Sequence, residues 1–172
     1  DNAMRPNANI TASETLVLLS RFYKPSDAET ALIQSDYQAI VLSSVPASYS
    51  WAHKNIAVCL AAGIITESEL KSMNLGTEMN KEQLSFYLVR ALQLAAEAQA
   101  LSGAALAFTD AQAISEKHRG SVAKLVGIKI VGGDDTGRFM PQSPVTRAIA
   151  ATMVSRALDY LDKDNKTLVV EA

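Results

Sequence analysis

The chain has 172 residues, of which 48% are apolar and 20% are charged, and its formal net charge is −2. This length and composition predict one globular domain with a sizeable core. The acidic balance argues against the basic face of a nucleic-acid-binding domain, and no apolar run approaches the length of a membrane span, about eighteen residues. We therefore expect neither nucleic acid nor membrane insertion among its interactions.

The first predicted helix begins at Thr11. Thr11 and Glu14 have the spacing of a capping box, in which each side chain bonds the backbone N–H of the other residue. Apolar residues recur at helical spacing over residues 16–22. The connection that follows, residues 23–48, contains a candidate helix over Asp27–Ile33.

A second pair of helices is predicted in the middle of the chain. Trp51 starts a helix that ends in a Gly-Ile-Ile turn at residues 63–65. Asn80, with Gln83 three residues later, has capping-box spacing and opens the next helix. The alanine-rich residues 93–103 are expected to extend it before a glycine break. One such helix pair has too small a core to stand alone, so we expect several pairs to pack together.

The third part of the chain contains its most informative stretch, residues 127–148. A short β-prone run at residues 128–131 enters a glycine-acid turn, where Gly132 and Gly133 are expected to adopt positive φ. Gly132 and Gly133 also allow a ligand to approach the backbone. The turn carries two adjacent aspartates at 134–135, which lack the loop spacing of a calcium site and favour a hydrogen-bonded turn.

The last predicted helix begins with Thr146 as its N-cap and Arg147 as its first residue. A cation is unusual there, because a helix N-terminus already carries about half a positive charge and favours anions. Something other than helix stability must explain Arg147. Together with free backbone N–H groups nearby, Arg147 forms a candidate anion-binding corner.

The motifs of the third part follow a definite order. They are an F-x-D opening at 108–110, a helix end at 122–127, a Val-Gly-Gly turn at 131–133, an F-x-P element at 139–141 and Val-Thr-Arg-Ala at 145–148. This order resembles an S-layer homology (SLH) repeat of bacterial cell-surface proteins and covers residues 108–161. Ile149 stands where the family usually has Glu.

Weaker copies of the pattern recur earlier in the chain. Residues 4–14 align with residues 139–149 at a constant offset, and Arg21, Arg90 and Arg156 occupy aligned positions. We therefore predict a single SLH-type domain over residues 1–172. It comprises a partial first repeat and connection (1–48), a divergent second repeat (49–103), a third repeat (104–161) and a tail (162–172).

The resemblance implies a fold and a function. The fold is mostly α, with helix-loop-helix repeats in a pseudo-threefold arrangement and short strand-like segments. The function is non-covalent anchoring of a surface protein to the bacterial cell envelope, through an acidic secondary cell-wall polysaccharide or another peptidoglycan-linked polymer. The expected location is the extracellular cell wall or S-layer of a Gram-positive bacterium, and self-association is a further expectation.

The resemblance also implies where the glycan binds. The arginine of the family's Thr-Arg-Ala-Glu motif contributes to glycan binding in grooves between neighbouring repeats, and Arg147 occupies this place. Lys81 matches it in the second repeat and keeps the charge, whereas Ala12 removes it in the first. The candidate glycan-binding residues are Arg147, Thr146, Lys81, Trp51, Gly132, Gly133 and Arg5.

Alternative interpretations remain open. Trp51 is either a core anchor, which is the commoner role of such a residue, or an aromatic wall of a sugar groove. Because the Thr-Arg-Ala-Glu motifs are eroded, the domain is alternatively a protein-interaction or assembly module that has lost glycan binding. An intracellular helical-repeat adaptor would have uniform repeats without the glycine-acid turn, and the chain fits that class badly.

Residues suited to catalysis are scarce. His53 and His118 have no metal-ligand spacing, and neither a nucleophile elbow nor a P-loop occurs. Cys59 lies in an apolar helix, which is typical of an unreactive core thiol. We expect no enzyme activity, no cofactor and no metal.

Overall fold

The computed structural model describes residues 5–164 and 166–170; residues 1–4 and the end of the predicted tail lie outside the described residues. The protein is mostly helical, and within the described residues β-structure is limited to isolated bridges. The α-helices are α1 Ala12–Ser20, α2 Asp27–Asp36, α3 Gln38–Ser44, α4 His53–Ala61, α5 Glu67–Ser72, α6 Lys81–Ala91, α7 Ala95–Ala100, α8 Glu116–Gly127 and α9 Arg147–Lys163. Short 3-10 helices span Ala47–Ala52 and Ala111–Ala113. The prediction of a mostly α fold is confirmed, whereas the predicted strand-like segments are reduced to these bridges.

Two helix pairs form most of the core. Helix α4 packs along α1, and α8 packs along α6. The facing stripes are fully buried, with Leu16 of α1 and Leu84 of α6 at most 1% exposed. Burying each such leucine contributes about 1.5–3 kcal/mol relative to leaving it exposed. The connecting helices α2 and α7 then cover the outer faces of α4 and α8.

The apolar face of helix α1 is covered within the chain. Leu16 and Leu19 are 1% and 0% exposed. The thiol of Cys59 in α4 donates to the carbonyl of Leu16, at 3.2 Å. Burial raises the pKa of the Cys59 thiol, so this cysteine is an unreactive part of the core, as its sequence context indicated.

The three short segments that precede α1, α6 and α9 bond to one another in a closed order. The N–H of Ile10 donates to the carbonyl of Val145 (2.8 Å), that of Val145 to Met79 (2.8 Å), and that of Met79 to Ile10 (2.9 Å). Three isolated antiparallel bridges follow the same order. The N-terminal ends of these helices are therefore held together at one end of the molecule.

The closed order of bonds does not by itself establish a threefold rotation. Helices α1 and α6 pack on each other, whereas no described helix is packed along α9 to a comparable extent. The pseudo-threefold arrangement therefore stays a prediction. None of the described helices is both long and apolar enough to cross a bilayer.

The β-prone run after α8 does not form a strand. Helix α8 ends at Gly127, and Ile128 caps it. Lys129 then adopts a φ of 62°, and the N–H of Ile130 returns to the carbonyl of Leu125 at 2.9 Å. Ile130 and Val131 are buried in the core instead of pairing with another strand, so tertiary packing overrides their β propensity.

Candidate binding site

The three helix N-termini are capped as the sequence predicted. Thr11 with Glu14, and Asn80 with Gln83, form complete capping boxes at α1 and α6. At α9 the hydroxyl of Thr146 accepts the N–H of Ile149 at 3.3 Å, and no reciprocal bond forms because isoleucine has no acceptor. Thr146 is thus explained by capping, and Arg147 is not.

The expectation of free backbone N–H groups beside Arg147 is wrong. The N–H of Arg147 donates to the carbonyl of Ala8 at 2.9 Å, and that of Ala148 to the carbonyl of Pro6 at 3.0 Å. The helix N-terminus binds anions only through donors that lack a partner. These donors are used by the neighbouring segment of the chain, which the sequence could not reveal because residues 6–8 are far away along it.

Arg147 contacts the first helix of the chain. Its Nη2 donates to Oε1 of Glu14, while Oε2 of the same carboxylate accepts the N–H of Thr11 at 3.0 Å. The side chains of Arg147 and Glu14 are 42% and 28% exposed. We name this contact between the N-termini of α9 and α1 the 9/1 junction. The arginine is accessible, and it faces a neighbouring part of the chain as expected.

Arg5 belongs to the same junction. It is exposed and directly precedes Pro6, whose carbonyl accepts the N–H of Ala148. The structure thereby brings Arg5, Thr146 and Arg147 to one place. Three of the candidate glycan-binding residues share the 9/1 junction.

Lys81 lies at a different junction, between the N-terminus of α6 and the loop before α9, which we name the 6/9 junction. Its Nζ donates to the carbonyl of Gly132 at 2.8 Å and lies 4.4 Å from the centre of the Phe139 ring. Burial lowers the pKa of the Lys81 ammonium, and the carboxylates of Asp134 and Asp110 offset this only in part. Lys81 and Gly132 are therefore adjacent, as two members of one site should be.

The glycine-acid turn has a different construction from the one predicted. Gly132 and Gly133 do not adopt positive φ; Gly137 does, at 75°. Oδ1 of Asp134 accepts the hydroxyl of Thr136 at 2.7 Å and the N–H of Arg138 at 2.9 Å, and these bonds hold the pKa of Asp134 below its ordinary range. The predicted hydrogen-bonded turn is observed, but the prediction of positive φ at Gly132 and Gly133 is wrong, because Gly137 has it instead.

The two glycines still differ in what surrounds them. A Cβ added at Gly132 would meet nothing within 4 Å, so its backbone is open to a ligand. A Cβ at Gly133 would lie 3.2 Å from the Phe108 ring and from the carbonyl oxygen of Arg138. Gly133 is thus needed for close packing, whereas Gly132 presents an accessible backbone.

The aspartate of the F-x-D opening ties the two ends of this region together. Oδ1 of Asp110 accepts the N–H of Phe139, and Oδ2 accepts that of Met140, both at 2.7 Å. Burial would raise the pKa of Asp110, but these two backbone N–H groups outweigh it and the pKa is lowered. The F-x-D and F-x-P motifs therefore form one structural unit, which buries Phe139 completely.

The interpretation of Trp51 as a core anchor is wrong. Its side chain is 56% exposed, at the end of the 3-10 helix Ala47–Ala52. That segment packs against α1. The neighbouring Ala52 is the residue that enters the core, at 0% exposure. An exposed indole is available as an aromatic wall, on the α1 side of the molecule.

A buried polar network surrounds Glu82, and no sequence motif predicted it. The N–H of Ser115 donates to Oε2 of Glu82 at 2.9 Å, and Nε2 of Gln142 donates to Oε1 at 3.0 Å. Nδ1 of His118 lies 3.0 Å from Glu82 Oε1 and 2.8 Å from the hydroxyl of Ser115. Because serine and acid meet the same ring nitrogen, this is not the relay geometry of a hydrolytic triad. The network joins the start of α8 to α6.

The order of motifs and their geometry agree with a known family. Residues 107–151 match the S-layer homology domain. The matched segment runs from the F-x-D opening, through α8 and the glycine-acid turn, into the first turn of α9. It therefore includes the Asp110 clamp, Gly132 and Arg147.

Similarity to characterised proteins extends over more of the chain. It is 25% identical over 159 residues to an amylopullulanase of Thermoanaerobacterium thermosulfurigenes, an alignment that covers 92% of the chain and 8% of the relative. It is 26% identical over 118 residues to an endoglucanase of Bacillus sp. (strain KSM-635), covering 65% of the chain and 12% of the relative. The chain thus spans about a tenth of each relative's length.

Proposed function

We propose that this domain is a non-catalytic anchoring module, which holds a larger protein on the bacterial cell envelope by binding an acidic secondary cell-wall polysaccharide. The match of residues 107–151 to the S-layer homology domain supports the class of partner. The similarity to small parts of two polysaccharide-degrading enzymes supports a module attached to a larger protein. The proposed location is the cell wall or S-layer of a Gram-positive bacterium.

The proposed architecture is three repeats about a pseudo-threefold axis, with a partial first repeat and a divergent second one. The closed order of hydrogen bonds among Ile10, Val145 and Met79 supports it, because each segment plays the same donor and acceptor role in turn. The three helices that follow are then equivalent, and the junctions between them are the sites where a polymer binds.

The observation that carries the proposal is that the Arg147 side chain is exposed and has donors to spare. Its guanidinium is 42% exposed, Glu14 engages Nη2, and no other described side chain is bonded to it. A guanidinium has five N–H donors in a planar fork that suits a carboxylate. The remaining donors at the 9/1 junction are therefore directed to an acidic group of the glycan, with Arg5 as a second cation and Thr146 beside them.

The second proposed contact is the 6/9 junction. Lys81 supplies a partly desolvated charge, Gly132 an open backbone, and Gly133 the close packing that shapes the loop. Trp51 supplies an exposed aromatic face on the α1 side, suited to stacking on a sugar ring. Binding at these places requires no chemical step, no cofactor and no metal.

The alternative, an assembly module that has lost glycan binding, is favoured by one specific observation. The carboxylate of Glu14 partly neutralises Arg147, and the first backbone N–H groups of α9 are already bonded to residues 6 and 8. An anionic glycan must then compete with Glu14 or share the guanidinium with it. This alternative predicts a folded domain that does not bind the wall polymer.

Co-sedimentation with purified Gram-positive cell wall tests the proposal. The domain should sediment with wall that retains its secondary polymer and stay in solution with wall from which the polymer has been removed. Equal sedimentation with both walls would assign binding to peptidoglycan itself. Absence of sedimentation with intact walls of several species would favour the assembly module.

A further inference from the structure

The helix pairs of the core follow one packing rule. Helix α4 lies along α1, and the carbonyl of Ile64, in the turn that follows α4, accepts a hydrogen bond from Nη1 of Arg90, at 3.3 Å. Helix α8 lies along α6, and the carbonyl of Ile130 accepts Nη1 of Arg156, also at 3.3 Å. Each of these helices therefore lies against one long helix and ends at an arginine of the next.

The rule leaves one position without a helix in the described part of the chain. No described helix lies along α9 as α4 lies along α1. The backbone N–H of Arg21 bonds the end of α1, but its side chain, which aligns with those of Arg90 and Arg156, has no hydrogen bond or ion pair to any described residue. Helix α9 and Arg21 thus lack a packed helix of the kind that α1 and α6 have along them and that Arg90 and Arg156 contact.

An apolar groove of about 570 Å³ lies between α9 and Arg21. Its walls come from α9, from residues 21–25 after α1, from α2, from the end of α4 and from the tail. Leu158 and Leu32 on these walls are 46% and 65% exposed, and Val169 is 57% exposed. Apolar side chains that are left in water at the edge of a core mark an interaction surface when they cluster in this way.

The charges at the rim suit the end of a helix. Arg21, Lys24 and Lys166 all line the groove. The C-terminus of a helix carries about half a negative charge and leaves carbonyl groups without partners, which cations stabilise. The groove is also lined by three acidic residues, Glu29, Asp36 and Asp162. The rim can therefore pair with basic as well as acidic side chains of a bound helix.

We infer that this groove seats an amphipathic helix of the α4 and α8 kind, supplied by polypeptide outside residues 1–172. The helix lies along α9 with its apolar stripe on Leu158 and Leu161, and a carbonyl in the turn after it accepts a bond from Arg21. The tail over residues 166–170 covers its outer side, as α2 covers α4 and α7 covers α8. The inference rests on packing and does not depend on wall binding.

The occupant has a defined chemistry. After α4 the residue before Ile64 is Gly63, with a φ of 67°, and after α8 the residue before Ile130 is Lys129, with a φ of 62°. The occupant should therefore carry an apolar stripe at helical spacing and end in a left-handed residue followed by a buried isoleucine or valine. In both turns the carbonyl of this buried residue accepts the bond from the arginine.

Cysteine alkylation tests the inference with the full chain. Cys59 is buried, so a Leu158→Cys variant has one accessible thiol, and Leu42→Cys on α3, where the leucine is 60% exposed, is the matched control. The probes are two synthetic peptides, residues 46–66 with Cys59→Ser and residues 113–132. At saturating concentration at least one peptide should slow alkylation of Leu158→Cys by at least about fivefold and leave Leu42→Cys unchanged.

Two further variants separate docking from nonspecific association. The second peptide with Val122→Asp and Leu125→Asp should give no protection, because its apolar stripe is broken. Arg21→Ala in the protein should raise the peptide concentration for half-protection by about tenfold, the loss of one hydrogen bond to a charged group. Equal alkylation rates with and without both peptides would overturn the inference. If the alkylation rate of Leu158→Cys falls as the protein concentration rises, with no peptide present, the groove binds a second copy of the chain. That result would also overturn the inference.

Discussion

Arg147, the first residue of α9, donates to the carboxylate of Glu14, the third residue of α1. A cation at a helix N-terminus is unfavourable for its own helix, and the acid of the neighbouring helix offsets that cost. At the other two junctions, the first residue of one helix and the third residue of its neighbour cannot form an ion pair. These pairs are Lys81 with Ile149, and Ala12 with Gln83.

The first prediction is that Glu14→Gln strengthens wall binding. Glutamine retains the capping box, as Gln83 does in α6, and it removes the charge that neutralises Arg147. We expect severalfold tighter co-sedimentation with polymer-bearing wall and a fall of about 0.2–1 kcal/mol in the free energy of unfolding, the usual range for an exposed ion pair. Weaker wall binding at unchanged stability would show that Glu14 itself contacts the glycan.

The second prediction concerns Arg147 itself. Arg147→Ala should weaken wall binding by about 1.5–3 kcal/mol, because a hydrogen bond between a charged group and the glycan is lost. Arg147→Lys should recover part of this, since a point charge cannot form two parallel bonds. Lys163→Ala is the matched control, on the same helix about 24 Å away. If Arg147→Ala stays folded and sediments like the unmodified chain, the 9/1 junction is not the binding site.

The third prediction concerns the missing acid at the 6/9 junction. Ile149→Glu completes a capping box with Thr146 and supplies an acceptor at the position equivalent to Glu14. Urea denaturation should show a gain of about 0.5–1 kcal/mol, from the cap and from an exposed ion pair with Lys81. Wall binding should fall if Lys81 contacts the polymer. Ile149→Gln, which completes the cap without a charge, separates the two effects.

Local features of the fold could be predicted from the sequence, and contacts between distant segments could not. The caps at Thr11, Asn80 and Thr146 depend on residues three positions apart, and all three were predicted. The bonds of Arg147 depend on residues 6–14, more than 130 positions away. Hence the cation was recognised as unusual, while its partner and the loss of the free N–H groups were not.

Two errors in the candidate site have separate physical causes. Composition does not distinguish which glycine of a turn adopts positive φ. Here the hydrogen bonds of Asp134 fix the turn so that Gly137 has the positive φ. The exposure of Trp51 follows from the 3-10 helix in front of α4, which turns Ala52 inward. A helix boundary shifted by one or two residues is enough to exchange a buried side chain for an exposed one.

The fourth prediction is a loss of stability in acid that depends on Glu82. Burial would raise the pKa of this carboxyl, but its bonds from Ser115, His118 and Gln142 outweigh burial and lower the pKa. A carboxyl with a lowered folded-state pKa contributes stability above its unfolded pKa, about 4.3, and loses it as the pH falls through the folded value. The free energy of unfolding should therefore decline below about pH 4.3, with the decline smaller in Glu82→Gln. Parallel pH profiles for both proteins would contradict this role.

The last prediction compares two glycines of α8. A Cβ at Gly120 would lie 2.1 Å from the carbonyl oxygen of Ala98 in α7, whereas a Cβ at Gly127 would meet nothing within 4 Å. Gly120→Ala must push α7 away from α8 and should lower the free energy of unfolding by about 1–3 kcal/mol. Gly127→Ala, whose φ is not positive, should be neutral or stabilising by up to about 1 kcal/mol, because alanine reduces the freedom of the unfolded chain. Thermal denaturation of the two variants checks the difference in sign. Equal stability would mean that α7 is not held against α8 in solution, since the clash with α7 is the source of the loss expected at Gly120.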